Sequence, residues 1–299
     1  METIGADSLR SFLSSGWSGG PVNNYQIRTD RGFDVATFKD LVGHVAQLAF
    51  YNPNFVLLYR GQNRNWHNRS EGGTQTVLKP TIFRARRKET PLSVAIPQRY
   101  SRLQRAEDLL VEKWLEAKLE GSERIERHRI LRWAILQHYE VCDTPLLDVT
   151  QSLRVAASFA SLGATNDLAY LYVLAVPQLT GAITASAEAG LQIVRLNGIC
   201  PPSAARAHFQ EGYLIGEYPE IQTPKERQKY EPFELDAGRR LVAKFRLRMD
   251  GFWNDPAFPK LSRNALFPKE EDKEKGLEAV IRKIRVELGP FQFRIFSAA

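Results

Sequence analysis

Between Gln137 and Ser152 the chain sets Gln137-His138, Thr144, Asp148, Thr150 and Ser152 around the apolar run Pro145-Leu146-Leu147 and ahead of the apolar Val155 to Ala160. Burying such groups unpaired costs about 1–3 kcal/mol each, so they form either a hydrogen-bond network or one wall of a site. Each brings its own chemistry. His138 titrates near neutrality and can move a proton or bind a hydroxyl, though at a helix end it can equally be a cap or a satisfied core side chain. Gln137 cannot titrate; it positions a ligand or ties two segments together. Asp148, between Leu147 and Val149, needs a partner, and Arg60, His138 or a backbone cap would serve. Thr150 and Ser152 fall on one side of an extended segment, where either can donate to a ligand. Ser152 also fits as the N-cap of the helix that follows.

Arg60 follows four apolar residues and precedes Gly61-Gln62. A glycine there lets a ligand approach the backbone, and the guanidinium can fork onto a phosphate. The alternative is a buried structural salt bridge, with Asp148 as the partner. No Gly-x-Ser-x-Gly turn surrounds Thr150 or Ser152, so neither sits in a serine-nucleophile setting. No Walker loop, Gly-x-Gly-x-x-Gly fingerprint or His-Glu-x-x-His helix occurs, which argues against an ATPase, a Rossmann dehydrogenase and a zinc protease. The five histidines are too scattered to name a metal site, so none is expected, and a nuclease would need acidic metal ligands that do not cluster.

The elements that must position these residues follow from periodicity. Apolar spacing predicts helices over 34–49, capped by Asp34, and over 106–119, 126–138, 153–162 and 273–286. Strands are predicted over 55–62, 169–176, 212–216 and 241–247, with a polar loop at 63–76. Residues 1–33 read as an irregular segment and 34–299 as one domain. Helices and strands mix without strict alternation, which implies an α+β fold rather than a doubly wound parallel sheet.

Composition is that of an ordinary globular protein, 43% hydrophobic and 25% charged over 299 residues. No apolar run is long enough to cross a bilayer, the start lacks signal-peptide order, and Cys142 and Cys200 make no disulfide framework. A reduced, cytoplasmic protein without a membrane is expected. The net charge of +7 is partly clustered, at Arg84 to Lys88 with Arg99, Arg102 and Arg105, and at Arg239, Arg240, Lys244, Arg246 and Arg248. Such clusters suit a polyanion, and a generally basic surface accounts for them as well.

The order Leu58-Tyr59-Arg60-Gly61-Gln62, Leu78 to Arg84, Gln137-His138-Tyr139, Thr144 to Thr150 and Ser152 to Ala160 resembles FRG-domain proteins. Pro202, Arg206, Phe209 to Tyr213 and Leu266-Phe267-Pro268 extend the likeness. The chain departs from that pattern at Glu140, Pro145 and Val149. A strand-end Arg, a Thr/Ser strand running into an Ala-x-x-Phe-Ala helix and a later Gln/Glu segment also resemble, more distantly, the order of parts in ADP-ribosyltransferases. That resemblance implies an ADP-ribosyltransferase-like sheet core with NAD as substrate. Arg60 would hold the pyrophosphate, with Gln62, Gln137 and Asp148 lining the cofactor site and Thr150 and Ser152 on the ribose or nicotinamide side. Glu211, with Gln210 and His138, would carry the chemistry. Only one of Gln210 and Glu211 can face the pocket from a strand. A carboxylate there would stabilise an oxocarbenium-like state, whereas an inward Gln210 favours binding. The implied function is transfer of ADP-ribose to nucleic acid or protein by a toxin or antiviral-defence effector, held silent by an antitoxin or inhibitor. The alternative is a non-enzymatic module sensing a nucleotide or phage component.

Overall fold

The computed structural model describes residues 1–4, 9–67, 75–86, 91–164, 167–201, 204–227, 236–268 and 276–290. Eight strands form one mixed sheet: β1 (Phe33–Val35), β2 (Val56–Gln62), β3 (Leu147–Thr150), β4 (Leu168–Val176), β5 (Ile183–Ser186), β6 (Leu191–Arg195), β7 (Gly212–Glu217) and β8 (Leu241–Arg248). Their spatial order is β1-β8-β4-β2-β3-β7-β6-β5, with β1 and β8 parallel and every other pair antiparallel. Five longer helices surround it: α1 (Phe38–Tyr51), α2 (Leu92–Glu116), α3 (Arg129–His138), α4 (Leu153–Ser161) and α5 (Gly276–Leu288). The fold is a single α+β domain built on an open mixed sheet.

Strand β4 explains the centre. Every residue from Leu171 to Val176 is buried, so both of its faces are covered and it reads as an unbroken apolar run. Around the sheet, α2 packs against both α3 and α5, and α4 packs on β2. Among the described residues no helix is long and apolar enough to cross a membrane.

Several expected boundaries move, each for a local reason. The helix expected over 34–49 starts at Phe38 because Thr37, not Asp34, is its cap, the hydroxyl accepting from the Asp40 amide at 3.1 Å. Asp34 instead lies in β1, facing Arg246 and Arg248. Helix α2 begins fourteen residues before the expected Ala106, running through Pro97. The helix expected over 126–138 is two, Ser122–Arg127 and α3, broken at His128. In the segment read as irregular, Phe12–Leu13 pairs with Gly16–Trp17 and Asn24–Thr29 is a helix with a reciprocal Asn23–Gln26 cap. Of the expected 273–286 helix, residues 273–275 lie outside the described residues, as do Pro202, Arg87, Lys88 and the 68–74 part of the expected loop.

Candidate functional site

The sheet is barely closed between β2 and β3. Neighbouring pairs are long: seven residues of β2 match β4 and four of β3 match β7, but β2 and β3 share only Tyr59 opposite Thr150. Beyond that bridge the strands part, and a main-chain carbonyl that a ladder would have paired needs another donor. Arg60 supplies it: its Nη1 donates to the carbonyl of Asp148. The split opens into a cavity lined by Tyr59, Arg60 and Gly61 of β2, Gln137, His138 and Glu140 at the end of α3, Asp148, Val149 and Thr150 of β3, and Ala156 and Phe159 of α4. Leu196, Arg206, Gln210, Gly212, Tyr213 and Phe267 complete it. Its empty space is about 610 Å³ counted out to the mouth.

The polar residues divide into those already used and those with capacity left. Gln137 is used on both ends: its amide nitrogen donates to the Asp148 carboxylate and its oxygen accepts from the Thr144 hydroxyl, both at 2.7 Å. It ties α3 to β3, one of its two expected roles. The Thr150 hydroxyl donates to the carbonyls of Gln210 at 2.8 Å and Glu211 at 3.1 Å and accepts from the Ser152 amide at 3.0 Å. It therefore joins β3, the turn before β7 and the start of α4. Ser152 caps α4, accepting from the Val155 amide at 3.5 Å, and does not line the cavity. Gln62 lies outside the cavity as well, its Oε1 buried without a hydrogen-bond partner.

Arg60 does not make the expected salt bridge. It bonds the main chain of Asp148, its Nε is buried and unpartnered, and burial lowers its affinity for its proton against the pull of the Asp148 charge. Asp148 responds in the opposite sense: burial pushes its carboxyl up, and Arg60 and Gln137 pull it back down. His138 is deeply buried with no partner for Nε2, and burial together with Arg206 pushes its pKa well below the usual imidazole value. It is a neutral ring in the cavity wall and not a helix cap.

Gln210 and Glu211 occupy a turn, not a strand. They follow a short helix, Ala205–Phe209, and Glu211 adopts φ +45° immediately before β7. This turn sends them apart: Gln210 lines the cavity with its amide donating to the Leu266 carbonyl at 2.6 Å, while Glu211 is exposed and outside it. The carboxylates the cavity does contain are Asp148 and Glu140. Glu140 accepts from Arg206 at 2.9 Å, and Arg206 stacks over Phe267 with its charge 4.7 Å from the ring centre. Arg206 is one of the residues that carry the FRG likeness and Glu140 one of its departures, but neither was expected in the site; those two marks were the available signal.

The basic clusters are largely spent inside the fold. Arg86 and Arg99 reach Asp143, Arg102 bonds the carbonyls of Leu288 and Gly289, Arg240 bonds that of Ala175, and buried Lys244 bonds Thr76 at 2.8 Å. Among the described residues, no three His, Cys, Asp or Glu side chains group as metal ligands would.

Such a fold is an α+β protein whose mixed sheet is split between two central strands, with a charged cavity at the split. Residues 56–167, a little over a third of the chain, match the FRG domain. That match spans Arg60 and the Gln137–Ser152 segment, and ends before Arg206 and Gln210. No curated protein and no solved structure matches the chain.

Proposed function

We propose that the cavity binds a nucleotide with a pyrophosphate, of the NAD or ADP-ribose class. The observation that carries this is the pair Arg60 and Arg206: both guanidiniums line one cavity and each keeps a buried Nε with no partner. An unpaired buried donor costs about 1–3 kcal/mol, and a phosphate oxygen removes that cost with a charge-assisted bond. The rings of Tyr59, Phe159, Tyr213 and Phe267 supply apolar walls for a base or a nicotinamide. With Gln210 turned in and Glu211 turned out, binding rests on firmer ground than chemistry does.

A second reading, ADP-ribosyl transfer, is favoured by one observation: a carboxylate, Asp148, lines the cavity beside Arg60 and is held by Gln137. In that reaction the bond from ribose C1′ to nicotinamide breaks and nicotinamide leaves with the electron pair. Asp148 faces the cationic C1′, and an acceptor oxygen or nitrogen on nucleic acid or protein closes on it and loses its proton. A cytoplasmic toxin or defence effector with a silencing partner protein belongs to this second reading.

Isothermal calorimetry with NAD, ADP-ribose and adenosine, paired with mass spectrometry for nicotinamide, tests both. Saturable binding of NAD and ADP-ribose without nicotinamide release, lysate, RNA and DNA included, supports the binding module. Nicotinamide release that Asp148→Asn abolishes while NAD still binds supports transfer. Absence of binding by all three ligands refutes the nucleotide reading.

A further inference from the structure

Glu140 occupies a place that two physical effects disfavour. Helix α3 ends in a paired turn in which the Glu140 amide donates to the Gln137 carbonyl at 3.0 Å and the Val141 amide to that of Leu136 at 2.9 Å. The residue between them must take a left-handed conformation, and glycine normally fills it. Here it is Glu140, at φ +54°. A side chain there is strained, and a carboxylate at a helix C-terminus faces the negative end of the helix dipole.

What holds it is the cavity's own cation. Arg206 donates to Glu140 Oε1 through Nη2 at 2.9 Å. Arg206 is itself fixed by other contacts, with its charge 4.7 Å from the Phe267 ring centre and 5.9 Å from that of Tyr139. A second cation stands at the same helix end: Arg285 of α5 donates to the Tyr139 carbonyl, and the Glu140 charge acts on it. Glu140 lies in the wall of two cavities, the one at the sheet split and another lined by Arg102 and Arg285.

We propose that Glu140 is an internal counter-ion that occupies Arg206 in the empty cavity and is displaced by the anion of the incoming ligand. This rests on reading the cavity as a phosphate site. Because Arg206 is held by stacking, the cation stays while the carboxylate swings across the helix end to Arg285. The consequence is selectivity. A neutral or singly charged molecule does not dislodge Glu140, whereas a pyrophosphate, with more charge to offer than one carboxylate, does. Displacement also carries ligand occupancy to α5 through Arg285.

The test is calorimetric binding of pyrophosphate, ADP-ribose and adenosine to the full chain and to Glu140→Gln, with Glu211→Gln as a second variant. Both substitutions remove one negative charge, but only Glu140 sits in the cavity. The expected result is that Glu140→Gln binds pyrophosphate and ADP-ribose about tenfold more tightly, as removal of one competing charge-assisted bond implies, with adenosine unchanged. Glu211→Gln should leave all three near wild type. Glu140→Asn, which tolerates the left-handed backbone, gives the same tightening if the Gln variant folds poorly. Wild-type binding that Glu140→Gln leaves unchanged or weakens overturns the inference while the nucleotide reading stands. Equal tightening by Glu211→Gln also overturns it, since the effect is then one of net charge. Failure of wild type and both Glu140 variants to bind any ligand refutes the nucleotide reading itself, and the inference with it.

Discussion

Gly61 lies beneath α4, and replacing it with alanine should be among the most damaging small changes in the chain. A Cβ built there falls 1.9 Å from the Ala156 carbonyl oxygen and 2.7 Å from the Ala160 amide nitrogen. Ordinary contact begins near 3.4 Å, so the closer atom must retreat by about 1.5 Å. Both obstacles are backbone of a regular helix, so no side chain can rotate away; α4 must lift from β2 as a body. Overpacking of a core costs about 1–3 kcal/mol and sometimes more. With the buried Ala156, Ala157 and Ala160 all pulled from the sheet, Gly61→Ala should cost about 3 kcal/mol, a melting temperature roughly 5–10 °C lower. Ala156 and Phe159 would move with the helix and deform the cavity wall they form. Gly43, in the middle of α1 with nothing within 4 Å of its built Cβ, is the matched control. Gly43→Ala should stabilise by about 0.5–1 kcal/mol through helix propensity. Urea unfolding followed by circular dichroism reads both. A Gly61→Ala protein within about 0.5 kcal/mol of wild type would refute the close packing of α4 on β2, and with it the described cavity wall.

Two further outcomes follow from the hydrogen bonds and charges at the cavity. Gln137→Leu removes two bonds of 2.7 Å, one to a carboxylate, and strands the Thr144 hydroxyl; it should cost about 3 kcal/mol in the same urea assay, and a loss under about 1 kcal/mol would show that the tie between α3 and β3 is dispensable. His138 stays neutral when folded, with its pKa pushed well below 6.5, so between those two values the unfolded chain binds a proton that the folded chain refuses. Stability therefore falls with pH below 6.5, by about 1.4 kcal/mol per unit from this residue, until the folded pKa is reached. His138→Asn should lose that component, so its stability relative to wild type improves from about pH 7.5 to about pH 5.5; a constant difference would mean that His138 titrates normally in the fold.

Much of the scaffold was legible because its signals are local. The strand ending in Arg60-Gly61-Gln62, the small-residue helix after Ser152 and the continuous apolar run of β4 are each fixed by neighbours within a few residues. Ser152 caps α4, one of the two roles its position allowed. At Gly61 the close approach inferred from the glycine is real and is made by α4, while Gly61 also lines the cavity. For Gln210 and Glu211 the outcome is the expected one, a single residue facing the cavity, but the reason differs. Strand alternation was applied to a turn, and a single left-handed residue at Glu211 cancels the parity that would have decided between them. The Arg206–Glu140 pair spans 66 positions, and the divergence of β2 from β3 is a matter of tertiary register. Arg206 and Glu140 were each marked in the family likeness, but nothing in residue type or spacing pairs them or shows where two strands part.

The charges in the cavity bear on whether it is a structural network or a site. Four charged side chains line it, Arg60, Arg206, Asp148 and Glu140. A network built only for stability would pair each cation with a carboxylate, because an unpaired charge held in low dielectric is costly. Here one pair is closed and the other is not. Arg206 meets Glu140, but Arg60 spends its bond on a main-chain carbonyl while the Asp148 carboxylate is held by the neutral Gln137. The guanidinium and the carboxylate are kept near enough to feel each other's charge and are bonded elsewhere. The unused Nε of Arg60 and the unused Nε2 of His138 both belong to residues of this cavity wall. An unclosed pair of this kind costs stability at one place, and the proposed acceptor-bearing ligand would offset that cost.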